Sequence, residues 1–307
     1  MSLIEKDRIQ LPEHIADGGF DHAAIHVRGS CLYVAHPSND SVDVVDLQQR
    51  RLLRSLPGYR GVAGVWVSEE AGLLFTSNRG EDTAGILRLP SGEELFRVPT
   101  GVRPNGLACD PGRNTLLVAG VGNAASEARP TATWIDFVTG ARQGQCVLPG
   151  RTRWATYHPA TDAFYVNIAD PPQIVALEAG DPSRVAHSIP IPATGPHGLE
   201  QDPNGKTLFC ASDDGRLLLV DLRTRTATVE AELSGPPDVI WLDPGKDRLY
   251  VAIGDPGVID VLSTSPLGRV ETVRTAPGAH TLTVDLAQHD VHVFLPGLHE
   301  DLVLHED

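Results

Sequence analysis

His197, Asp238 and His280 are the residues of this chain whose types and spacing most readily do chemistry. They stand 41 and 42 positions apart, and each opens a copy of the same short phrase. Aligned on that phrase, the first residues of seven copies are Asp21 (or His22), Ala63, Asn105, Arg153, His197, Asp238 and His280. Imidazoles and carboxylates converging on one axis are the donor set of divalent transition metals. Such an ion polarises a carbonyl or lowers the pKa of a bound water. The expected metal ligands are His22, His197, Asp238 and His280. Asp238, His280 and Arg153 are the expected catalytic groups, with Asn105 and Arg153 placed to hold an anion or a carbonyl oxygen.

The elements that must position these residues follow from the repeat itself. The copies lie 42, 42, 48, 44, 41 and 42 residues apart. Self-similarity at about 40–50 residues, with four strand-like runs in each unit, is the mark of a β-propeller. The expectation is an all-β, seven-bladed propeller forming one domain over residues 1–307, with inner strands starting near 21, 63, 105, 153, 197, 238 and 280. The fifth unit reads as four strands, His197–Gln201, Thr207–Ala211, Arg216–Asp221 and Ala227–Glu232, separated by turns rich in Pro, Gly, Asn and Asp. The last unit has three strands before the chain stops. Its outer strand is expected from residues 7–11 at the N-terminus, which would close the ring and remove its free sheet edges.

In such a ring the first residue of each inner strand stands at the mouth of the central channel. The loops between second and third strands open on the same face. His36, Asn78, Asp170, Asp213, Asp255 and His299 fall in those loops as candidate rim residues, and Trp154 and Tyr157 follow Arg153 in the fourth inner strand. His36, Trp154 and Tyr157 are therefore added to Asn105 and Arg153 as candidate substrate contacts. The long loop 120–130 is small and Gly-rich, suited to a lid. His26, His158, Asp110, Asp202, Asp243 and Asp285 lie in the first turn, on the opposite face, and are expected to be structural.

Composition excludes several classes. A net charge of −15, with no basic tract, opposes binding to nucleic acid or to an anionic membrane. No apolar run reaches the 18 residues of a membrane span. The polar start lacks the apolar core of a signal peptide, so the expected location is the cytoplasm. The four cysteines show no metal-type spacing and are expected to be free. No phosphate loop, Gly-x-Ser-x-Gly elbow, His-Glu-x-x-His or Cys-x-x-Cys is present.

The phrase Arg103-Pro104-Asn105-Gly106-Leu107-Ala108-Cys109-Asp110-Pro111, followed by runs such as Leu32-Tyr33-Val34-Ala35, resembles the YVTN/NHL-type propeller repeats. The mouth ring resembles that of gluconolactonase and senescence-marker-protein propellers. That resemblance implies one divalent ion at the mouth and hydrolysis of a small lactone or ester. Their opening Glu motif is absent here, and His197 and His280 replace oxygen ligands, which favours zinc, manganese or iron over calcium. The ring is also similar to that of streptogramin-type propeller lyases, which implies a metal-assisted C–O lyase as the alternative. A third reading is a non-enzymatic propeller that binds a ligand or a protein.

Overall fold

The computed structural model describes residues 2–306. Its 28 strands form seven antiparallel sheets of four strands each, arranged as a seven-bladed propeller. In chain order the blades run over 23–57, 62–99, 104–147, 152–190, 196–232 and 240–274, and the seventh combines 282–306 with the N-terminal strand. The described residues contain no α-helix, and none of their helical segments is long and apolar enough to cross a membrane.

The fifth blade matches its expected strands to within a residue: Pro196–Gln201, Thr207–Ser212, Arg216–Asp221 and Thr226–Glu232. Second strands such as Cys31–His36 are buried at every position, because each is covered on both faces by neighbouring blades. Outer strands such as Arg51–Pro57 alternate between exposed and half-buried, since one face meets water.

The ring closes as expected. The N-terminal strand Leu3–Gln10 pairs antiparallel with Glu300–Glu306, with Leu3 opposite Glu306 and Gln10 opposite Glu300. It begins four residues earlier than the sequence pattern suggested. A register shift between Glu5 and Asp7 breaks its alternation, and Leu3 and Ile9 are its buried anchors.

Glycine at the second inner-strand position lets adjacent blades converge on the axis. A Cβ on Gly106 would stand 2.6 Å from the Arg153 carbonyl, and one on Gly198 would stand 2.9 Å from that of Asp238. Both contacts are closer than packed atoms tolerate. Asp110 accepts from Gly112 N and Arg113 N, Asp243 from Gly245 N, and Asp285 from Ala287 N. Three of the expected structural aspartates thus close turns on the far face. All four cysteines are free.

Candidate functional site

At the channel mouth a cup of about 220 Å³ is lined by Asp21, His22, Asn105, Arg153, His197, Asp238 and His280, together with Arg79, Arg103, Val121, Arg151 and Thr152. Val121 is the one apolar residue in this lining. The choice between Asp21 and His22 is settled by the backbone. Asp21 N–H donates to Ala35 O just as Asp238 N–H donates to Ala252 O, so Asp21 holds the mouth position. His22 lies one residue deeper and still lines the cup.

His197 is clamped between two carboxylates. Its Nδ1 donates to Asp213 Oδ1 at 2.7 Å, while its Nε2 lies 2.8 Å from Asp238 Oδ1 and 3.2 Å from Arg153 Nη1. Two carboxylates so close to the ring favour its imidazolium form. Burial opposes that charge, but Asp238 and Asp213 outweigh it and push the His197 pKa up to about 9. Asp238 is also desolvated, yet His197 holds its carboxyl far below the ordinary range. Asp213 forks, accepting from His197 with one oxygen and from Arg153 Nη2 with the other at 3.1 Å.

His280 is held differently. Its Nδ1–H donates to Gly278 O at 2.7 Å, which leaves Nε2 as the nitrogen able to accept a proton, 3.9 Å from Asp238 Oδ2. His22 is buried with its ring 4.3 Å from that of Trp154, contributed by blade four on the opposite side of the channel. Desolvation lowers the His22 pKa, against the pull of Asp21 and Asp238. Farther down, Trp66 of blade two and Trp241 of blade six stack across the channel, centroids 6.3 Å apart and planes within 10°. These two aromatic crossings make the mouth a closed-ended cup.

The other half of the cup is cationic. Arg79 hydrogen-bonds Asn105 Oδ1 and lies 3.6 Å from Asp21 Oδ2. The guanidiniums of Arg103 and Arg151 have no carboxylate or hydrogen-bond acceptor among the described residues. Arg153 beside it, and then partial burial, pull the Arg151 pKa below its ordinary value, with Arg103 and Arg79 adding to the effect. Four guanidiniums and one imidazolium meet three carboxylates here, Asp21, Asp213 and Asp238, a net of two positive charges in a chain of net charge −15.

Several sequence expectations are corrected. His36 does not face the cup. It is fully buried, donates from Nδ1 to Asp43 at 2.7 Å and meets His14 Nδ1 at 2.7 Å through Nε2, because the connector 11–22 folds over it. Tyr157 lies toward the far face, its hydroxyl donating to Asp162 at 3.1 Å. Trp154 is a core residue under His22 rather than part of the cup lining. Of the candidate loop residues Asp213 joins the site, whereas Asn78 is buried on Thr83 and Asp170, Asp255 and His299 do not line the cup. The loop 120–130 is tied by an Asn123–Ala128 bridge and brings only Val121 to the rim. The four expected metal ligands, His22, His197, Asp238 and His280, gather in the cup, with Asp213 on His197 Nδ1 and Arg153 Nη1 3.2 Å from its Nε2. Among the described residues no group of three or more His, Cys, Asp or Glu is arranged to hold a metal ion.

Sequence reasoning missed Arg79, Arg103 and Arg151. The signal for two of them is local: Arg103 and Arg151 each stand two residues before a mouth residue, Asn105 and Arg153. Glu200 was missed as well. It occupies the inner-strand position of Trp66 and Trp241, opposite Phe209, and desolvation raises its pKa to about 7.

The fold and its mouth define a seven-bladed β-propeller with a polar cup at one end of a plugged channel. No protein-family model matches the chain, and no curated protein matches it in sequence. Among solved structures it is similar to a chain titled Kuenenia stuttgartiensis Hydrazine Synthase, with a TM-score of 0.82 and 14% identity over 96% of this chain and 97% of that one. At that identity the likeness concerns the fold alone.

The His197 clamp has a pH signature. Its folded pKa of about 9 exceeds the ordinary 6.5, so the stability it contributes is complete below pH 6.5 and is lost as pH rises through 9. Urea denaturation of wild type and His197→Gln should show the largest gap near pH 6 and a much smaller one near pH 9.5. A gap independent of pH would mean that His197 is not charged in the fold. The comparison between variants is needed because the buried His292, paired with Asp301, titrates in the same sense.

Proposed function

We propose that the cup binds a small, hydrophilic anionic compound and hydrolyses a lactone or ester bond in it. The observation that carries this reading is the pair Arg103 and Arg151, which lack protein acceptors and face the cup beside Arg79 and Arg153. Guanidiniums gathered without counter-charges are placed for an anionic ligand. The polar lining and the 220 Å³ volume suit a small charged molecule better than an apolar one.

The chemistry rests on His280. Nε2 takes a proton from a water that attacks the carbonyl, the Asp238 carboxylate 3.9 Å away stabilises the resulting imidazolium, and an arginine N–H receives the developing oxyanion. As the acyl C–O bond breaks, the same proton passes to the leaving alkoxide. Every step uses side chains of this chain, and none is routed through a metal.

Calorimetry with sulfate, phosphate and succinate tests the binding half. Each arginine lost from Arg103→Ala/Arg151→Ala should cost about 1.5–3 kcal/mol, roughly 10- to 150-fold in affinity, and EDTA should change nothing. Unaltered affinity in the double variant would overturn the reading. Binding abolished by EDTA would instead restore the divalent ion as the ligand-holding group.

A further inference from the structure

A second cleft, about 380 Å³ and larger than the cup, lies in the seam between the first and last blades. Its lining includes Asp285 and Gln288, from the first turn of blade seven on the face opposite the mouth, and the closing strand supplies Lys6 and Ile9. Ile9, Val27, Leu47 and Val303 give it an apolar wall. His292 is its distinctive polar group, 3% exposed, with Nδ1–H donating to Asp301 Oδ2 at 2.8 Å. The Nε2 of that ring has no protein partner among the described residues.

Burial works against charge on His292, yet the Asp301 carboxylate, with Asp290 and Asp285 adding to it, reverses the balance and raises its pKa. The Nε2 of His292 is not sealed from solvent, and for an imidazolium N–H opening on a cleft an anionic oxygen is the natural partner. Of the other acids of the cleft, Asp290 is paired with cations, and Asp285 is held by backbone N–H groups. Asp290 accepts from Lys6 Nζ at 2.6 and 2.9 Å and from His305 at 2.7 Å, and Asp285 closes its turn on Ala287 N and Gln288 N. Arg50, at the rim, lies 3.3 Å from Asp7.

We propose that this seam cleft is a second small-molecule site, which takes a short aliphatic or aromatic carboxylate with its carboxyl group on His292 Nε2 and its tail on Ile9, Val27, Leu47 and Val303. The ligand bridges the closing strand and the first blade, so binding holds the ring shut and stabilises the folded state.

Hexanoate and benzoate, with 1-hexanol and benzyl alcohol as uncharged counterparts, are the probes. The Arg103→Ala/Arg151→Ala background removes binding at the cup, so failure of that site and failure of this one are read separately. The expected result is a saturable rise in melting temperature with the carboxylates and not the alcohols, with slowed amide exchange along Leu3–Gln10. His292→Gln should weaken it about tenfold or more. Because that variant removes a buried partner of Asp301, Val27→Glu serves as a second test. It sits on an exposed rim residue, places a carboxylate at the opening and should weaken binding without touching the fold. No saturable effect at tens of millimolar, equal effects from the alcohols, or binding unchanged in both variants would overturn the proposal.

Discussion

Deleting residues 1–12 is expected to collapse the melting temperature of the whole ring rather than to fray one edge. The deleted segment buries Leu3, Ile9 and Leu11. Each such side chain is worth about 1.5–3 kcal/mol of burial. Three of them amount to a large fraction of the roughly 5–15 kcal/mol that holds an ordinary domain together. The deletion also strips every partner from one side of the strand Glu300–Glu306, exposing an edge that carries the buried Leu302, Val303 and Leu304. Thermal unfolding followed by circular dichroism, with light scattering to detect association, checks this. A truncated protein that melts within a degree or two of the full chain would show that closure by the N-terminal strand adds little to stability.

His280→Gln is expected to cut turnover of an anionic ester or lactone by about 10²- to 10⁴-fold, the usual contribution of a positioned acid–base group. Affinity for the anion should stay close to wild type, because the arginines are untouched. The opposite split is expected from Arg103→Ala/Arg151→Ala, which should raise KM far more than it lowers kcat. A His280→Gln protein that turns over at the wild-type rate would leave the cup as a binding site without catalysis. The two variants together separate holding the substrate from acting on it.

The clamp on His197 explains why the site divides its labour between two similar residues. His197 and His280 open the fifth and seventh copies of one repeat and look equivalent in sequence. In the fold His197 has a carboxylate on each nitrogen, whereas His280 spends Nδ1 on a backbone carbonyl and keeps Nε2 for chemistry. The difference arises from the loops. Asp213 reaches His197 from the turn of its own blade, and the corresponding turn of the last blade offers His280 no acid. A fixed positive charge beside a free base is a useful pairing in a cup that receives anions.

The repeat period by itself determined the architecture. Seven phrases at one spacing require seven units, and a last unit one strand short requires a partner from the other terminus; the pairing of Leu3–Gln10 with Glu300–Glu306 is that partner. The mouth ring was legible for the same reason, since residues at one repeat position share one height around the axis. Asn105, Arg153, His197, Asp238 and His280 line the cup together as that alignment implies.

Tertiary structure alone decided what lies off that periodicity. Arg79, Arg103 and Arg151 sit in connecting loops, where side-chain direction is set by local turns and not by strand alternation. His36 was misplaced because the connector 11–22 folds over it and supplies His14, 22 residues away in sequence. Tyr157 was misplaced because an inner strand runs the depth of the channel, so four residues carry a side chain from the mouth to the far face. Residue types alone did not reveal which partners each ring nitrogen meets. Asp213 Oδ1 at 2.7 Å and Asp238 Oδ1 at 2.8 Å surround His197 only because blades five and six bring their side chains within reach of each other.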